Sequence, residues 1–146
     1  MLIYKITLTL MGDNFYPEKM FPFEADNFKC FSYFGPTDIS EYNNEEFYYG
    51  TMSFMHNNIF TLHENSLSYD EEFVSFLEKN KVLFKKYYVE DCIIFTEVYY
   101  NSDQCNFELF NSDMLKRIND LKFTISYPIS IYHMRKEELI DLLNIS

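Results

Sequence analysis

Near the start of the chain, Tyr4, Ile6, Leu8 and Leu10 alternate with Lys5, Thr7 and Thr9. A period of two puts all four apolar side chains on one face of an extended segment, so residues 2–10 are predicted as a strand with one buried face. The alternation stops at Gly12-Asp13-Asn14, which is turn chemistry. Pro17 followed by Glu18 and Lys19 predicts a single helical turn. Phe21-Pro22 closes that turn, because the residue before a proline is pushed out of the α region. Gly12 is expected to supply special backbone angles and Asp13 to accept backbone N–H bonds, so this turn is read as structural.

The second constraint is a helical period. Phe73, Leu77, Phe84 and the pair Tyr87-Tyr88 recur at helical spacing, Lys79, Lys81, Lys85 and Lys86 gather toward the C-terminal end, and Ser68 with Glu71 forms a capping-box pattern. A helix is predicted over 69–88. Strands are predicted over 47–55, interrupted at Gly50, and over 91–100. Asn57-Asn58 reads as a turn into a partner strand at 59–64, and 105–110 as a continuation of 91–100. Asn111 caps a helix over 111–120 with Met114, Leu115 and Ile118 facing inward. Residues 122–132 read as a strand in which Pro128 demands an edge position or a bulge. A short amphipathic helix over 135–145 carries Leu139, Leu142 and Leu143. Residues 23–46 show no period, and Asp38 to Glu46 reads as a polar loop. The stretches 7–20 and 105–118 both run strand, polar break, short acidic helix, which allows a repeated, ferredoxin-like β-α-β half.

At 146 residues the expectation is one domain spanning 1–146. A chain of this mass exposes about 8,000 Å² when folded, and roughly two-thirds of its unfolded surface is then buried. Sixteen Phe, thirteen Tyr and a single alanine, Ala25, lean the composition toward sheet. The expected class is α+β, an antiparallel-rich sheet with helices packed on one face.

Charge narrows the function. The net charge is −11, and residues 1–72 hold −9 of it, with twelve acids against three lysines. Between Lys29 and Lys79 there is no base, while nine acids occur: Asp38, Glu41, Glu45, Glu46, Glu64, Asp70, Glu71, Glu72 and Glu78. Nucleic acid and anionic membranes are disfavoured partners, because both need cations to neutralise them. A cationic protein partner is allowed, and the other reading of the charge is a solvated surface that keeps the protein soluble. Tyr42 and Tyr48 among these acids suit recognition of a basic surface, with tyrosine as anchor and carboxylate as counter-charge. Asp38, Glu41, Tyr42, Glu45, Glu46 and Tyr48 are the predicted partner-binding residues.

Motifs for catalysis are missing. His56, His63 and His133 have no ligand spacing with each other or with Cys30, Cys92 and Cys105, so no metal site is expected. Three glycines cannot build a phosphate-cradling loop, so no cofactor is expected. Exposed acids near a helix start favour the ionised form, which is wrong for a general acid. The odd cysteine count, with no signal segment and no long apolar run, points to a reduced cytoplasmic setting.

The opening run "YKITLTLMGDNFYPEKM" and the closing "NFELFNSDMLKRINDLKFTISYPISIYH" together resemble the bacterial family catalogued as domain of unknown function 4279. Tyr4, Gly12, Asp13, Pro17, Phe107, Leu109, Leu115, Ile125, Ile131 and Tyr132 carry the match. It covers both ends of the chain. In the middle, Pro36-Thr37 and Tyr49-Gly50 stand near the places of the family's Pro-Thr and Gly-Trp steps, and this chain has no Trp. The resemblance implies a fold and no activity. The expected function is therefore a small acidic, non-enzymatic binding protein of immunity or inhibitor type that neutralises a basic partner. The alternative is a small-molecule-binding or regulatory α+β module.

Overall fold

A computed structural model describes residues 1–145. Strand β1 (Leu2–Gly12) is the centre of a mixed seven-stranded sheet. Its buried residues include Tyr4, Ile6, Leu8 and Leu10, as the alternation requires. One edge of β1 is shared: β3 (Gly50–His56) pairs antiparallel along Thr7–Gly12, and the two-residue β4 (Thr61–Leu62) along Ile3–Tyr4. The other edge pairs antiparallel with β5 (Asp91–Tyr100) along Leu2–Met11. Outside β3 lies β2 (Phe28–Phe34), and outside β5 lie β6 (Thr124–Ser126) and β7 (Ile129–His133), both parallel to it.

Helix α1 (Ser66–Lys86) buries Tyr69, Phe73, Val74, Phe76, Leu77 and Phe84 in one cluster with the even-numbered side chains of β1, Met52 and Phe54 of β3, and Cys92 and Ile94 of β5. Helix α2 (Ser112–Asn119) adds Met114 and Ile118 to the same cluster. Both helices therefore cover one face. Arg117 ties them together, donating from Nη1 to Glu71 Oε2 (2.8 Å) and holding Glu78 through Nε and Nη2. Beside this guanidinium the Glu78 carboxyl is held below its usual range. Helix α3 (Lys136–Leu143) buries Leu139 fully outside the main cluster.

β3 and β5 both run antiparallel to the β1 strand between them, so β3-α1-β5 is a split β-α-β unit. β5-α2-β6 is a direct one. These units do not come from the two similar stretches: 105–110 is not a strand, and 17–20 is a 3-10 turn.

Several expected elements shift for identifiable reasons. β2 occupies part of the supposedly irregular 23–46; a register shift between Cys30 and Ser32 reverses its alternation and hides the period. Gly50 begins β3 rather than interrupting it. The 59–64 segment supplies β4, which pairs with β1 and not with β3. A 3-10 turn at His63–Asn65 leads into α1, so the helix starts at Ser66, Ser68 falls inside it, and the Ser68–Glu71 cap does not form. The Asn111 cap does form, its side chain accepting from Met114 N–H at 3.0 Å. Leu115, expected inside, is exposed. The 122–132 strand is two pieces broken at Pro128, whose carbonyl accepts from Thr96 N–H at 3.0 Å and keeps the edge attached.

The opening turn has a different physical basis from the one expected. No glycine has positive φ. Gly12 and Gly50 are cross-strand partners, and both are needed for space: a Cβ on Gly12 would lie 2.2 Å from Tyr88 O, and one on Gly50 1.7 Å from Phe15 O.

Candidate functional site

β2 and β3 are the arms of one long antiparallel hairpin, and residues 35–49 form its loop. The loop is folded against itself. Ser40 N–H donates to Glu45 O (2.8 Å), Asn44 N–H to Ser40 O (2.9 Å), Phe47 N–H to Asp38 O (3.1 Å) and Tyr48 N–H to Pro36 O (3.0 Å). Ile39 and Glu46 pair as an isolated antiparallel bridge. At the base, Phe34 stacks on Phe47 with ring centroids 3.8 Å apart, and Tyr49 meets Phe34 edge-on at 5.4 Å. Phe47 and Tyr49, expected within a strand, instead build this aromatic foot. Asn44 (φ 57) and Tyr48 (φ 63) take left-handed backbone positions. Asparagine does so readily; for tyrosine the conformation costs about 1 kcal/mol.

All six predicted residues, Asp38, Glu41, Tyr42, Glu45, Glu46 and Tyr48, lie on this loop and are exposed. Tyr42 is fully open to solvent and Tyr48 is 69% exposed. Asp38 has a local task as well: its Oδ2 accepts from Gly35 N–H at 2.7 Å, which shapes the turn out of β2. Glu41, Glu45 and Glu46 have no ion-pair partner among the described residues. Ile39, which no charge or periodic pattern marks, is 56% exposed beside them. The signal was a lone isoleucine inside "TDISEYNNEE".

Four of the five remaining acids of the lysine-free stretch behave differently, while Glu64 is exposed and has no ion-pair partner among the described residues. Glu71 and Glu78 bind Arg117, and Glu72 faces His56 Nε2. Asp70 is buried; it accepts from the Tyr4 hydroxyl (2.8 Å) and from Phe110 N–H (3.0 Å). Burial pushes the Asp70 carboxyl and the Tyr4 hydroxyl up from their usual ranges. These four acids are fastenings of the fold, so the acids of the lysine-free stretch without an ion-pair or core partner are those of the hairpin and Glu64.

The His56–Glu72 pair lines a cavity of about 350 Å³ with Asn58, Ser68 and Tyr69. A histidine beside a carboxylate is also a general-base arrangement. Here His56 Nδ1 accepts from Asn58 N–H at 2.9 Å and Nε2 is engaged by Glu72, so neither ring nitrogen is left to take a proton from a substrate. The pair latches β3 to α1.

All three cysteines are free. Burial pushes the Cys92 thiol up to about 12, and it raises Cys30 and Cys105 as well. None is therefore activated as a thiolate at neutral pH. Cys92→Ser should lower stability by about 1–3 kcal/mol, because a hydroxyl replaces a thiol in a fully buried apolar site. Cys30→Ser and Cys105→Ser should stay within about 0.5 kcal/mol of the parent in urea unfolding. A Cys30 or Cys105 variant that folds normally and loses binding would contradict this.

Among the described residues, no helix is long and apolar enough to cross a membrane, and no three His, Cys, Asp or Glu side chains group as a metal ion requires. No family model, curated protein sequence or solved structure matches this chain.

Proposed function

We propose that this is a small acidic, non-enzymatic binding protein of the immunity or inhibitor type, which uses the 35–49 hairpin to engage a cationic protein partner. One observation carries the reading. The acids of α1 are spent on internal partners, while Glu41, Glu45 and Glu46 stand unpaired on one self-supporting loop with an open Tyr42. Like charges held together in solvent repel one another and stabilise nothing in the fold, so their concentration favours a complementary surface. Tyr42, Tyr48 and Ile39 offer the apolar anchors that a charge ring alone lacks. The loop's backbone bonds hold these groups in place before contact, which lowers the ordering cost of association.

The test is recovery from the native host with immobilised protein. Wild type should retain a basic protein in stoichiometric amount. Glu45→Lys/Glu46→Lys should retain it about tenfold less well, and the control Asp103→Lys/Glu108→Lys should match wild type. Equal retention by both double variants would refute the hairpin as the binding surface.

A further inference from the structure

A cavity of about 540 Å³ lies between the 17–20 turn and the C-terminal end of α1, and its chemistry is opposite to that of the hairpin. It is lined by Asn14, Tyr16, Lys19, Lys86, Tyr87 and Tyr88, with no carboxylate among them. Lys19 Nζ sits 4.5 Å from the centre of the Tyr16 ring, and Lys86 Nζ 5.7 Å from that of Tyr87. Neither ammonium has an ion-pair partner among the described residues, which is true also of Lys29, Lys81, Lys85, Lys116, Lys122 and Lys136; what sets this pair apart is the shared cavity. Two unneutralised cations and three tyrosine rings therefore converge on one concave site.

A second observation comes from the backbone. α1 ends with Tyr88 N–H donating to Lys85 O (3.1 Å) and Val89 N–H to Phe84 O (3.0 Å). Tyr88 takes φ 66, at a position where helix ends ordinarily place glycine. The residue is 64% exposed and so adds little to the core. Holding a tyrosine in a strained conformation with its face open to a cleft is a pattern found at ligand sites.

We infer that this cleft binds a small phosphate-bearing aromatic anion of the nucleoside monophosphate class. Two ammonium groups match one phosphate dianion, and tyrosine faces match a planar base, which stacks on aromatic rings. The Asn14 carboxamide offers both a donor and an acceptor to a base or ribose edge. The volume lies within the range of small-molecule sites. A single phosphate meets the local positive pair, whereas each further phosphate of a polymer meets the field of a protein carrying −11, so the ligand is a mononucleotide and not a nucleic acid.

Titration calorimetry with adenosine monophosphate, inorganic phosphate and a short oligothymidylate tests this. Adenosine monophosphate should bind, phosphate alone should bind more weakly, and the oligonucleotide should bind no more tightly than the mononucleotide. Lys19→Glu/Lys86→Glu should weaken adenosine monophosphate binding by about tenfold or more, while Lys116→Glu/Lys136→Glu, an equal charge change elsewhere, should not. Tyr88→Gly should weaken binding several-fold and raise Tm by about 2 °C, since it relieves the helix end while removing the ring. No heat with adenosine monophosphate, equal loss in the two charge variants, tighter binding of the oligonucleotide, or unchanged affinity in Tyr88→Gly would each overturn the assignment.

Discussion

Gly50→Ala is expected to lower stability by about 3 kcal/mol or more, and Tm by roughly 10 °C. The new Cβ would lie 1.7 Å from the Phe15 carbonyl oxygen and 2.8 Å from its carbon. Both are backbone atoms, so no rotamer change can make room. The neighbouring chain is also tightly held. Phe15 is fully buried, and the cross-strand partner Gly12 already lies against the Tyr88 carbonyl. Moving Phe15 therefore disturbs the turn after β1, the start of β3 and the end of α1 together. Gly35→Ala is the matched control. Its Cβ would meet the Glu18 Oε2 at 3.2 Å, the far end of a flexible side chain, and a change under about 0.5 kcal/mol is expected. Equal Tm values for the two variants would contradict the close-approach account of Gly50.

The next largest effect is expected at Asp70. Asp70→Ala leaves the Tyr4 hydroxyl and the Phe110 N–H without acceptors in the core, at about 1–3 kcal/mol for each orphaned donor. Relief from burying a charge offsets part of this, so a net loss of about 2–4 kcal/mol is expected. Phe110 is additionally held at φ 52, and the carboxylate is one restraint that keeps it there. Asp70→Asn keeps one acceptor and should lose about 1–2 kcal/mol at neutral pH.

The pH dependence separates this carboxylate from an ordinary ion-paired one. Burial raises the native Asp70 pKa above its ordinary value of 3.8, against the pull of Phe110 N–H and the Tyr4 hydroxyl. The charged form is thus the disfavoured form in the fold. Wild type should gain stability relative to Asp70→Asn as pH falls through the raised native value, and the gain should level off below the unfolded value. A gap between the two proteins that narrows on acidification would show a lowered pKa and refute the assignment.

The sequence is legible where a periodic pattern meets a local partner. β5 matches its predicted span, an apolar, β-prone run from Cys92 to Tyr100 that pairs along β1 and alternates in burial once folded. The Asn111 cap is readable because donor and acceptor are three residues apart. β2 is not readable, since its register shift changes the parity of a strand already exposed at the sheet edge. The start of α1 moves for a related reason: the 3-10 turn before it carries the chain into the helix and makes the Ser68 cap unnecessary. Glycine misleads in another way. Sequence marks Gly12 as a turn residue, but what requires glycine there is the carbonyl of Tyr88, which comes from the end of another element.

The candidate site shows the same division. Charge asymmetry and the polar run 38–46 locate the hairpin directly. Which acids remain available is a three-dimensional fact. Arg117 reaches back to Glu71 and Glu78, and His56 to Glu72, across separations that no local pattern encodes. Lys19 and Lys86 likewise meet at one cleft only because the turn after β1 packs beside the end of α1.

In the proposed function, the hairpin carboxylates steer a cationic partner. The most direct test of this steering is the association rate with the recovered partner as ionic strength rises from about 0.01 M to about 0.15 M, over which the Debye length shortens from about 30 Å to about 8 Å. The rate should fall steeply for wild type while dissociation changes little, and the Glu41→Lys/Glu45→Lys/Glu46→Lys variant should associate slowly with an almost flat salt response. Wild-type association that is indifferent to salt, or a triple variant that associates as fast as wild type, would contradict the account.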